Sequence, residues 1–246
     1  MKISAVIITK NESANIAKCI SALKWADEVI VVDSGSTDNT IEIAQSLGAH
    51  VESIQWKSYG HAKNHGNKIA QNDWILSIDA DEIVPPELAK EIQSLSYKNN
   101  TVYALKRVNH LLEKRINYAW SKDYVWRLFD KKTASWSLDE VHEQLIFHSS
   151  IHQEIVSNHL LHFSYSSMDD YKKRTELYAQ LKAQKWITNQ QNPSLLKRAF
   201  GSYFKAFHTL FIKMGILDGR AGWTIAKMNF ISVKKQLKYF DELTKQ

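Results

Sequence analysis

Three carboxylates stand within four residues of one another at the point where a short apolar run ends. The run covers residues 74–78, and Asp79, Asp81 and Glu82 follow it. Two carboxylates held close together repel each other unless a cation or a proton lies between them. Oxygen ligands of this kind suit a hard divalent ion, Mg²⁺ or Mn²⁺, that carries a phosphorylated molecule. The spacing therefore indicates a metal and phosphate site, although an acid-rich turn that caps the next helix has the same composition.

The segment before these acids has the pattern of a buried strand in a parallel sheet, because it is short and densely apolar. Pro85 and Pro86 follow it and predict a turn and a helix start. Acids at the carboxyl end of such a strand lie in the crevice where open α/β sheets bind ligands. In an extended segment Asp79 and Asp81 point the same way, so we expect both to face the ligand.

Strands and helices alternate through the first third of the chain. Strands are predicted at residues 3–8, 28–32, 49–54 and 73–78, and helices at residues 12–23, 40–47 and 59–70, the second of them capped by Asp38. This order predicts an α/β fold with a mostly parallel sheet and right-handed crossovers. The loops that follow these strands should meet at one edge of the sheet.

The pattern changes after residue 100. Strands are predicted at residues 101–108, 124–129 and 155–163, and helices at residues 169–189, 195–214 and 222–242. We therefore divide the chain into an α/β domain at residues 1–165, with two halves at residues 1–100 and 101–165, and a C-terminal helical region at residues 166–246.

The composition narrows the class of protein. The chain has 246 residues, of which 44% are hydrophobic and 24% charged, the balance of a folded soluble protein. Cys19 is the only cysteine, which excludes a disulfide framework and fits a reducing cytosol. The net charge of +6 permits anionic partners, but no nucleic-acid-reading motif is present. The histidines match no zinc signature, so a nucleic-acid-binding or metal-binding module is the weaker alternative.

Three polar loops, at residues 9–12, 33–38 and 79–82, should meet at the sheet edge, and in these the chain resembles the family 2 glycosyltransferases of GT-A fold. The resemblance implies a Rossmann-like nucleotide-diphospho-sugar transferase with helices on both faces of its sheet. It also implies a divalent ion bound with the donor diphosphate. It makes residues 1–165 the catalytic domain, with a nucleotide-sugar-binding half at residues 1–100 and an acceptor half at residues 101–165. The residues that it places at the donor are Thr9, Asn11, Glu12, Asp33, Lys63, Asn64, Asp79, Ala80 and Asp81.

The chemistry of these residues agrees with that role. A carboxylate such as Asp33 can accept hydrogen bonds from a base or a ribose, as an acid on the second strand does in dinucleotide folds. Lys63 can face the diphosphate as a point charge, although a solvated surface lysine is the alternative. In a common form of the second loop two acids stand together, whereas here Ser34 follows Asp33. Asp33 must therefore carry nucleotide recognition alone.

Sugar transfer also needs a base for the acceptor hydroxyl. The sequence Val141-His142-Glu143 resembles a subgroup that includes the lipopolysaccharide inner-core β-1,4-glucosyltransferases, and His162 and the turn at residues 215–219 match the same pattern. The resemblance implies UDP-glucose as the donor and a lipid-linked inner-core heptose as the acceptor. We predict that Glu143 is the base and that His162 joins Asp79 and Asp81 at the metal. Further contacts with acceptor or phosphate are predicted for Arg127, Asp139, Glu140 and His142.

Other acceptors remain open, namely a polyprenyl phosphate, a protein or a capsule precursor. The Gln-x-x-Arg-Trp motif of processive synthases is absent, so we expect one sugar to be transferred per encounter. A hydrolase is disfavoured, because the acids lie in a nucleotide-type α/β region rather than as an isolated pair.

Residues 195–214 mix aromatic side chains with Lys197, Arg198, Lys205 and Lys213. Such a helix can lie in an anionic membrane interface, and it can equally pack as a core-facing helix or as the surface of a homo-oligomer. A lipid-linked acceptor favours the first alternative, for a cytoplasmic protein that is peripheral on the inner face of the membrane.

Overall fold

The computed structural model of the chain describes residues 1–98, 100–121, 123–139, 143–148, 150–165 and 167–245. The chain forms two compact units, one of residues 1–107 and 122–162 and the other of residues 108–121 and 163–246. A segment from the middle of the sequence thus belongs with the C-terminal helices. The functional division at residue 165 stays a prediction.

The first unit opens with the predicted alternation of strands and helices. Its strands are β1 (Ile3–Thr9), β2 (Glu28–Asp33), β3 (His50–Ser53) and β4 (Trp74–Asp79). Its helices are α1 (Ile16–Ser21), α2 (Thr40–Ser46), α3 (Tyr59–Ile69) and α4 (Pro86–Ser94). The strands pair in parallel in the order β3-β2-β1-β4, which confirms the predicted α/β fold. Their carboxyl ends therefore share one edge.

The first helix begins later than predicted. The pattern predicts a helix from residue 12, but α1 starts at Ile16. Asn11 adopts a left-handed conformation with φ of 55°, and the Glu12 carbonyl accepts the N–H groups of Asn15 and Ile16 at 2.9 Å each. Residues 12–15 thus form a turn, which keeps the polar side chains of the first loop at the sheet edge.

The sheet continues with antiparallel strands that curl it back on itself. They are β5 (Glu82–Ile83), β6 (Thr101–Leu111), β8 (Tyr124–Asp130) and β11 (His152–Phe163), and β7 (Lys114–Arg115) pairs with β6. The full order is β3-β2-β1-β4-β8-β6-β11-β5. β4 and β5 are separated by only two residues, yet three strands lie between them in the sheet. The sheet must therefore curl.

Two short strands form a separate antiparallel pair, β9 (Ala134–Trp136) and β10 (Leu145–Phe147). The sequence pattern predicts no strand at the positions of β5, β7, β9 and β10. Strands of two or three residues are too short to show an alternating pattern, which explains the omission.

Close packing of α3 against the sheet depends on a glycine. The strand core is fully buried, with Val6, Ile75 and Leu76 at 0% exposure. A Cβ atom on Gly66 of α3 would lie 2.3 Å from Cγ1 of Val6, so the helix rests directly on β1. This contact sets the height of α3 above the sheet, and with it the position of every functional side chain on that helix.

The second unit contains three long helices, α5 (Met168–Thr188), α6 (Leu195–Phe207) and α7 (Arg220–Leu243). A π-helical turn at His208–Ile212 and a 3₁₀ turn at Gly215–Asp218 connect α6 to α7. The three predicted helices are confirmed, except that the helix predicted through residue 214 leaves α-geometry after Phe207.

Asp218 joins the turn to the middle segment of the same unit. Its buried carboxylate accepts the backbone N–H groups of Asn117 and Ala119 at 2.8 Å each and that of Tyr118 at 3.2 Å. A Cβ atom on Gly222 would lie 1.7 Å from the carbonyl oxygen of Gly215, so α7 touches the turn backbone. The glycine-rich motif thus serves to hold this unit together.

Most aromatic side chains of α6 are exposed, although the Tyr203 ring packs against that of Phe230 in α7 at 5.0 Å. Within α6, all of whose residues are described, Ser202 alone is buried, whereas Phe200 and Phe204 are each 64% exposed. The segment predicted as one helix at residues 195–214 therefore faces the core only in part, at Ser202 and, after α6, at Leu210. Among the described residues, no helix combines the length and the apolarity that a bilayer crossing requires.

We predict that Asp218→Asn lowers the free energy of unfolding by about 2–3 kcal/mol, since buried N–H groups lose a charged acceptor. Urea unfolding followed by circular dichroism measures this loss. The matched control is Asp169→Asn, because Asp169 is 80% exposed and pairs with Lys172 only on the surface. That variant should change stability by less than about 1 kcal/mol. Equal losses in the two variants would contradict the role of Asp218.

Candidate functional site

A fully buried carboxylate lies at the centre of the sheet edge. Glu82 has 0% exposure, and its Oε1 atom accepts hydrogen bonds from Nη2 of Arg127 at 2.7 Å and Nη1 of Arg107 at 3.2 Å. Its Oε2 atom accepts the backbone N–H of Asp79 at 3.0 Å. A buried charge is tolerated only with such partners, so Glu82 holds β4, β6 and β8 together at their ends.

Asp79, the last residue of β4, is held by two cations. Its carboxylate accepts a hydrogen bond from Arg127 and lies 3.2 Å from Nζ of Lys63. Burial raises the pKa of Asp79, but the charges of Arg127 and Lys63 outweigh it and hold that pKa well below its usual value. Asp79 is therefore ionised at neutral pH, and it lies in a positively charged setting.

Lys63 is buried, not solvated. Its side chain is 2% exposed, and its Nζ atom lies 2.7 Å from Oε1 of Glu143 and 4.5 Å from the centroid of the Trp136 ring. The surface interpretation of Lys63 is thus wrong. This single ammonium group connects the carboxylate at the end of β4 with the carboxylate that we predict to be the base.

Asn64 holds β9 against α3. Its side chain donates to the Trp136 carbonyl and accepts the Trp136 N–H, both at 2.8 Å. A Cβ atom on Gly60 would lie 1.7 Å from the carbonyl oxygen of Ser137, so the two backbones are in contact. Ser137 in turn accepts the Gln144 N–H at 3.0 Å and donates its own N–H to the Gln144 carbonyl at 2.8 Å. These bonds fix the backbone beside Glu143.

The side chains of these ion pairs line a cavity of about 510 Å³ within the first unit. Its lining combines charged and aromatic side chains: Lys63, Asp79, Arg107, Tyr124, Val125, Trp126, Arg127, Trp136, Glu143, Gln144, Leu145 and Phe147. The volume is in the usual range for small-molecule sites. Opposed charges at its wall suit a polar, charged ligand rather than an apolar one.

The curl of the sheet brings His162 to the acidic motif. β11 pairs with β5 so that His162 lies opposite Glu82, and its Nε2 atom is 3.5 Å from Oδ2 of Asp81. Burial lowers the pKa of His162, but the hydrogen bond and charge of Asp81 raise it more, so that pKa lies above its usual value. The His162 imidazole and the Asp81 carboxylate thus lie next to each other at the acidic motif.

These two side chains fit a divalent ion, since carboxylate oxygen and imidazole nitrogen both bind Mn²⁺. Among the described residues, however, no three His, Cys, Asp or Glu side chains are placed to hold an ion together. The predicted trio of Asp79, Asp81 and His162 is not gathered, because Arg127 and Lys63 occupy the Asp79 carboxylate. Asp81 and His162 would hold the ion, and diphosphate oxygens and water would complete its shell, as is common for Mg²⁺.

The first two loops are tied to each other. Asp33 is fully buried, and its Oδ2 atom accepts the N–H groups of Gly35 and Ser36 at 2.9 Å each. Asn11 accepts the Thr37 N–H at 2.7 Å. Asp33 therefore stabilises its own loop, and its contact with a base or ribose stays a prediction.

Asp38 has the predicted role at the start of α2. It accepts the N–H groups of Thr40 at 3.1 Å and Ser13 at 3.2 Å. Burial raises the pKa of Asp38, but the bonds from Thr40 and Ser13 outweigh it and lower that pKa to about 2. The carboxylate thus links the second loop to the turn after the first.

The other predicted donor residues surround the same edge. Thr9 and Ala80 are buried at the ends of β1 and β4, and the Glu12 carboxylate accepts from the Asn15 side chain at 2.8 Å. On the acceptor side, exposed Asp139 accepts from the Ser137 hydroxyl at 2.7 Å. Glu140 and His142 lie outside the described residues. Of the described acids in this loop, Glu143 lines the cavity and Asp139 does not.

Sequence reasoning gave Glu82 no separate role and missed Arg107. Arg107 binds the Asp123 carboxylate through Nε at 2.9 Å and Nη2 at 3.2 Å, in addition to its contact with Glu82. The signal that could have found it is an arginine that follows the apolar start of β6, because a charge drawn into a buried strand needs a buried partner. Arg127, which was predicted, carries the same signal.

Comparison with known proteins identifies the class to which this sheet and site belong. Residues 4–160 match the family described as "Glycosyl transferase family 2". The chain belongs to this family and is a glycosyltransferase.

Two sequence relatives agree with this assignment, and one solved structure shows a weaker likeness that adds nothing to it. An uncharacterized glycosyltransferase of Rickettsia bellii is 34% identical over 90% of this chain and 80% of its own length. The lipopolysaccharide core biosynthesis glycosyltransferase LpsC of Rhizobium meliloti is 27% identical over 81% of this chain and 77% of its own. Glucosyl-3-phosphoglycerate synthase from Mycobacterium tuberculosis, solved with Mn²⁺, UDP and glucosyl-3-phosphoglycerate, is 28% identical over 44% of each chain, with a TM-score of 0.37.

We predict that Glu82→Gln lowers the free energy of unfolding by about 3–5 kcal/mol, since it leaves two buried guanidinium groups without their shared anion. The measurement is urea unfolding monitored by tryptophan fluorescence. Glu87→Gln is the control, because Glu87 lies exposed in the first turn of α4. If Glu82→Gln is as stable as that control, Glu82 does not organise the site.

Proposed function

We propose that the protein is a metal-dependent inverting glycosyltransferase that moves one sugar from a nucleotide-diphospho-sugar to a lipopolysaccharide inner-core heptose. UDP-glucose is the first donor to test. One observation carries the proposal: Asp79, Lys63 and Glu143 meet in a cavity beside the Asp81–His162 pair, in a chain of family 2. The relationship to LpsC supports a core saccharide as the acceptor.

On the donor side, the nucleotide would lie over the loops that contain Thr9, Asn11, Glu12 and Asp33, with Asn64 and Ala80 beneath the diphosphate. Asp81 and His162 would hold the divalent ion. That ion supplies positive charge to the leaving diphosphate when it is bound. Lys63 adds a second positive charge at the same place, since a buried ammonium acts strongly where water is excluded.

On the acceptor side, Glu143 would take the proton of the attacking hydroxyl. Lys63 holds one oxygen of this carboxylate at 2.7 Å, so its orientation is set before the acceptor arrives. Trp126 would offer a flat apolar face to the ring carbons of a sugar, and Arg107 and Arg127 place cationic groups in the cavity lining. The acceptor would attack the anomeric carbon from the face opposite the diphosphate.

The direct experiment is transfer of labelled glucose from UDP-glucose to inner-core saccharide ending in heptose. Parallel reactions contain a polyprenyl phosphate, a peptide mixture and a capsule precursor. Label in the heptose-containing product, with the opposite anomeric configuration to the donor, is the expected result. Label only in another acceptor would overturn the proposed acceptor, and no transfer from any nucleotide-sugar would overturn the activity.

For the base, we predict that Glu143→Gln lowers kcat by roughly 10²–10⁴-fold, the usual worth of general base catalysis. Donor binding, measured by calorimetry, should change little. Asp139→Asn is the matched control, because this acid lies on the same loop but is exposed. A normal kcat for Glu143→Gln together with an inactive Asp139→Asn would move the role to Asp139.

For the metal, we predict that Asp81→Asn abolishes transfer and also abolishes the Mn²⁺-dependent part of UDP binding in calorimetry, because one of the two protein ligands is lost. Chelator should have the same effect on the unmodified protein. Asp73→Asn is the control, since Asp73 pairs with Lys132 on the surface. Full activity of metal-stripped protein in chelator would contradict metal dependence.

A further inference from the structure

The second unit exposes a large set of apolar side chains in one continuous stretch of sequence. They are Leu195, Leu196, Phe200, Tyr203, Phe204, Phe207, Phe211, Ile212, Met214, Ile216, Leu217 and Trp223, and each is at least 41% exposed. We call this set the aromatic surface. Soluble proteins seldom expose a contiguous apolar patch of this kind without a partner.

The aromatic surface has the geometry of one helix face. On α6 and the turn after it, positions 196, 200, 203, 204, 207 and 211 recur every three or four residues and so form a single stripe. α6 contacts α7, and Ser202, the buried residue of α6, is absent from the stripe. Within the stripe, the Tyr203 ring packs against that of Phe230 in α7 at 5.0 Å, whereas Phe200, Phe204 and Phe207 each stay more than half exposed.

Basic residues predominate in the sequence around this surface, and Asp241 pairs with Arg198 of α6 at 2.6 Å. Between residues 177 and 240 the sequence has eleven lysines and arginines and one acid, Asp218. Asp218 is buried, and backbone N–H groups surround its carboxylate. Lys205, Lys213 and Arg220 lie exposed among the apolar side chains. The aromatic surface thus combines exposed apolar groups with exposed positive charge.

We propose that the aromatic surface binds an anionic lipid bilayer and lies in its interface. Anionic headgroups attract the exposed Lys205, Lys213 and Arg220, and the acyl boundary accepts the exposed Phe, Leu and Trp side chains. A second copy of the chain is the poorer partner, because it would bring two cationic surfaces together. The proposal stands on this surface alone and does not depend on which sugar the enzyme transfers.

The contribution of the apolar side chains to lipid binding is tested by cosedimentation with vesicles of phosphatidylcholine alone or mixed with phosphatidylglycerol. The unmodified protein should bind the mixed vesicles, and less so at high salt. Phe204→Glu should weaken binding by roughly 10–100-fold, the worth of burying one large apolar side chain. Ile155→Glu is the matched control, because Ile155 is also 64% exposed but lies in the first unit.

The contribution of the basic side chains to lipid binding is tested with a triple variant in which Gln replaces Lys205, Lys213 and Arg220. This should weaken binding to the mixed vesicles by roughly 100-fold, given the usual attraction of each basic residue to an anionic surface. The matched control replaces three exposed lysines of the first unit with Gln, namely Lys24, Lys68 and Lys90. Circular dichroism and transfer to a detergent-dispersed acceptor should be unchanged in every variant, which separates this proposal from the proposed function.

Four results would overturn the proposal. They are no binding of the unmodified protein to either vesicle, equal binding to both, equal losses in the test and control variants, and dimerisation without lipid. In the last case sedimentation equilibrium would show a dimer of the unmodified protein that Phe204→Glu makes monomeric, and vesicle binding would be absent. The aromatic surface would then be an interface between copies.

Discussion

The burial of one negative charge, on Glu82, is the constraint from which the site follows. A carboxylate without access to water must be matched by cations, and here Arg107 from β6 and Arg127 from β8 supply them. Arg127 also binds Asp79, and Lys63 bridges Asp79 to Glu143. The charges therefore form one connected network across β4, β5, β6, β8 and α3. Without the Glu82 carboxylate at its centre, the other side chains of the network would no longer be fixed in position.

The curled sheet makes that network possible. β5 follows β4 by two residues in sequence, yet it pairs with β11 at the other end of the sheet. The acidic motif at residues 79–82 spans this gap, so it touches Arg127 on one side and His162 on the other. Two functions are separated as a result. Asp79 lines the cavity and pairs with Arg127 and Lys63, whereas Asp81 forms with His162 the pair that fits a metal ion.

The sequence predicted the helices and strands more readily than the contacts between their side chains. Apolar runs predicted the parallel strands and the acids at the end of β4, because burial and periodicity are local properties. The contact of Glu82 with Arg107 joins residues 25 apart in sequence and that of Lys63 with Glu143 residues 80 apart, so no local pattern reports them. The family resemblance supplied Lys63 and Glu143 as candidates but not their ion pair. For α6, the same stripe of aromatic residues fits a core, an interface or a membrane, and only the structure shows that most of these side chains are exposed.

We propose that Asp81 and His162, rather than Asp79, hold the ion that would accompany the donor diphosphate. Crystals grown with UDP and Mn²⁺ would test it through the anomalous difference map at the manganese edge. We expect one anomalous peak in contact with a carboxylate oxygen of Asp81 and Nε2 of His162, while Asp79 keeps its contacts with Arg127 and Lys63. A peak bound by Asp79 with those ion pairs broken, or no peak at Asp81 and His162, would contradict it.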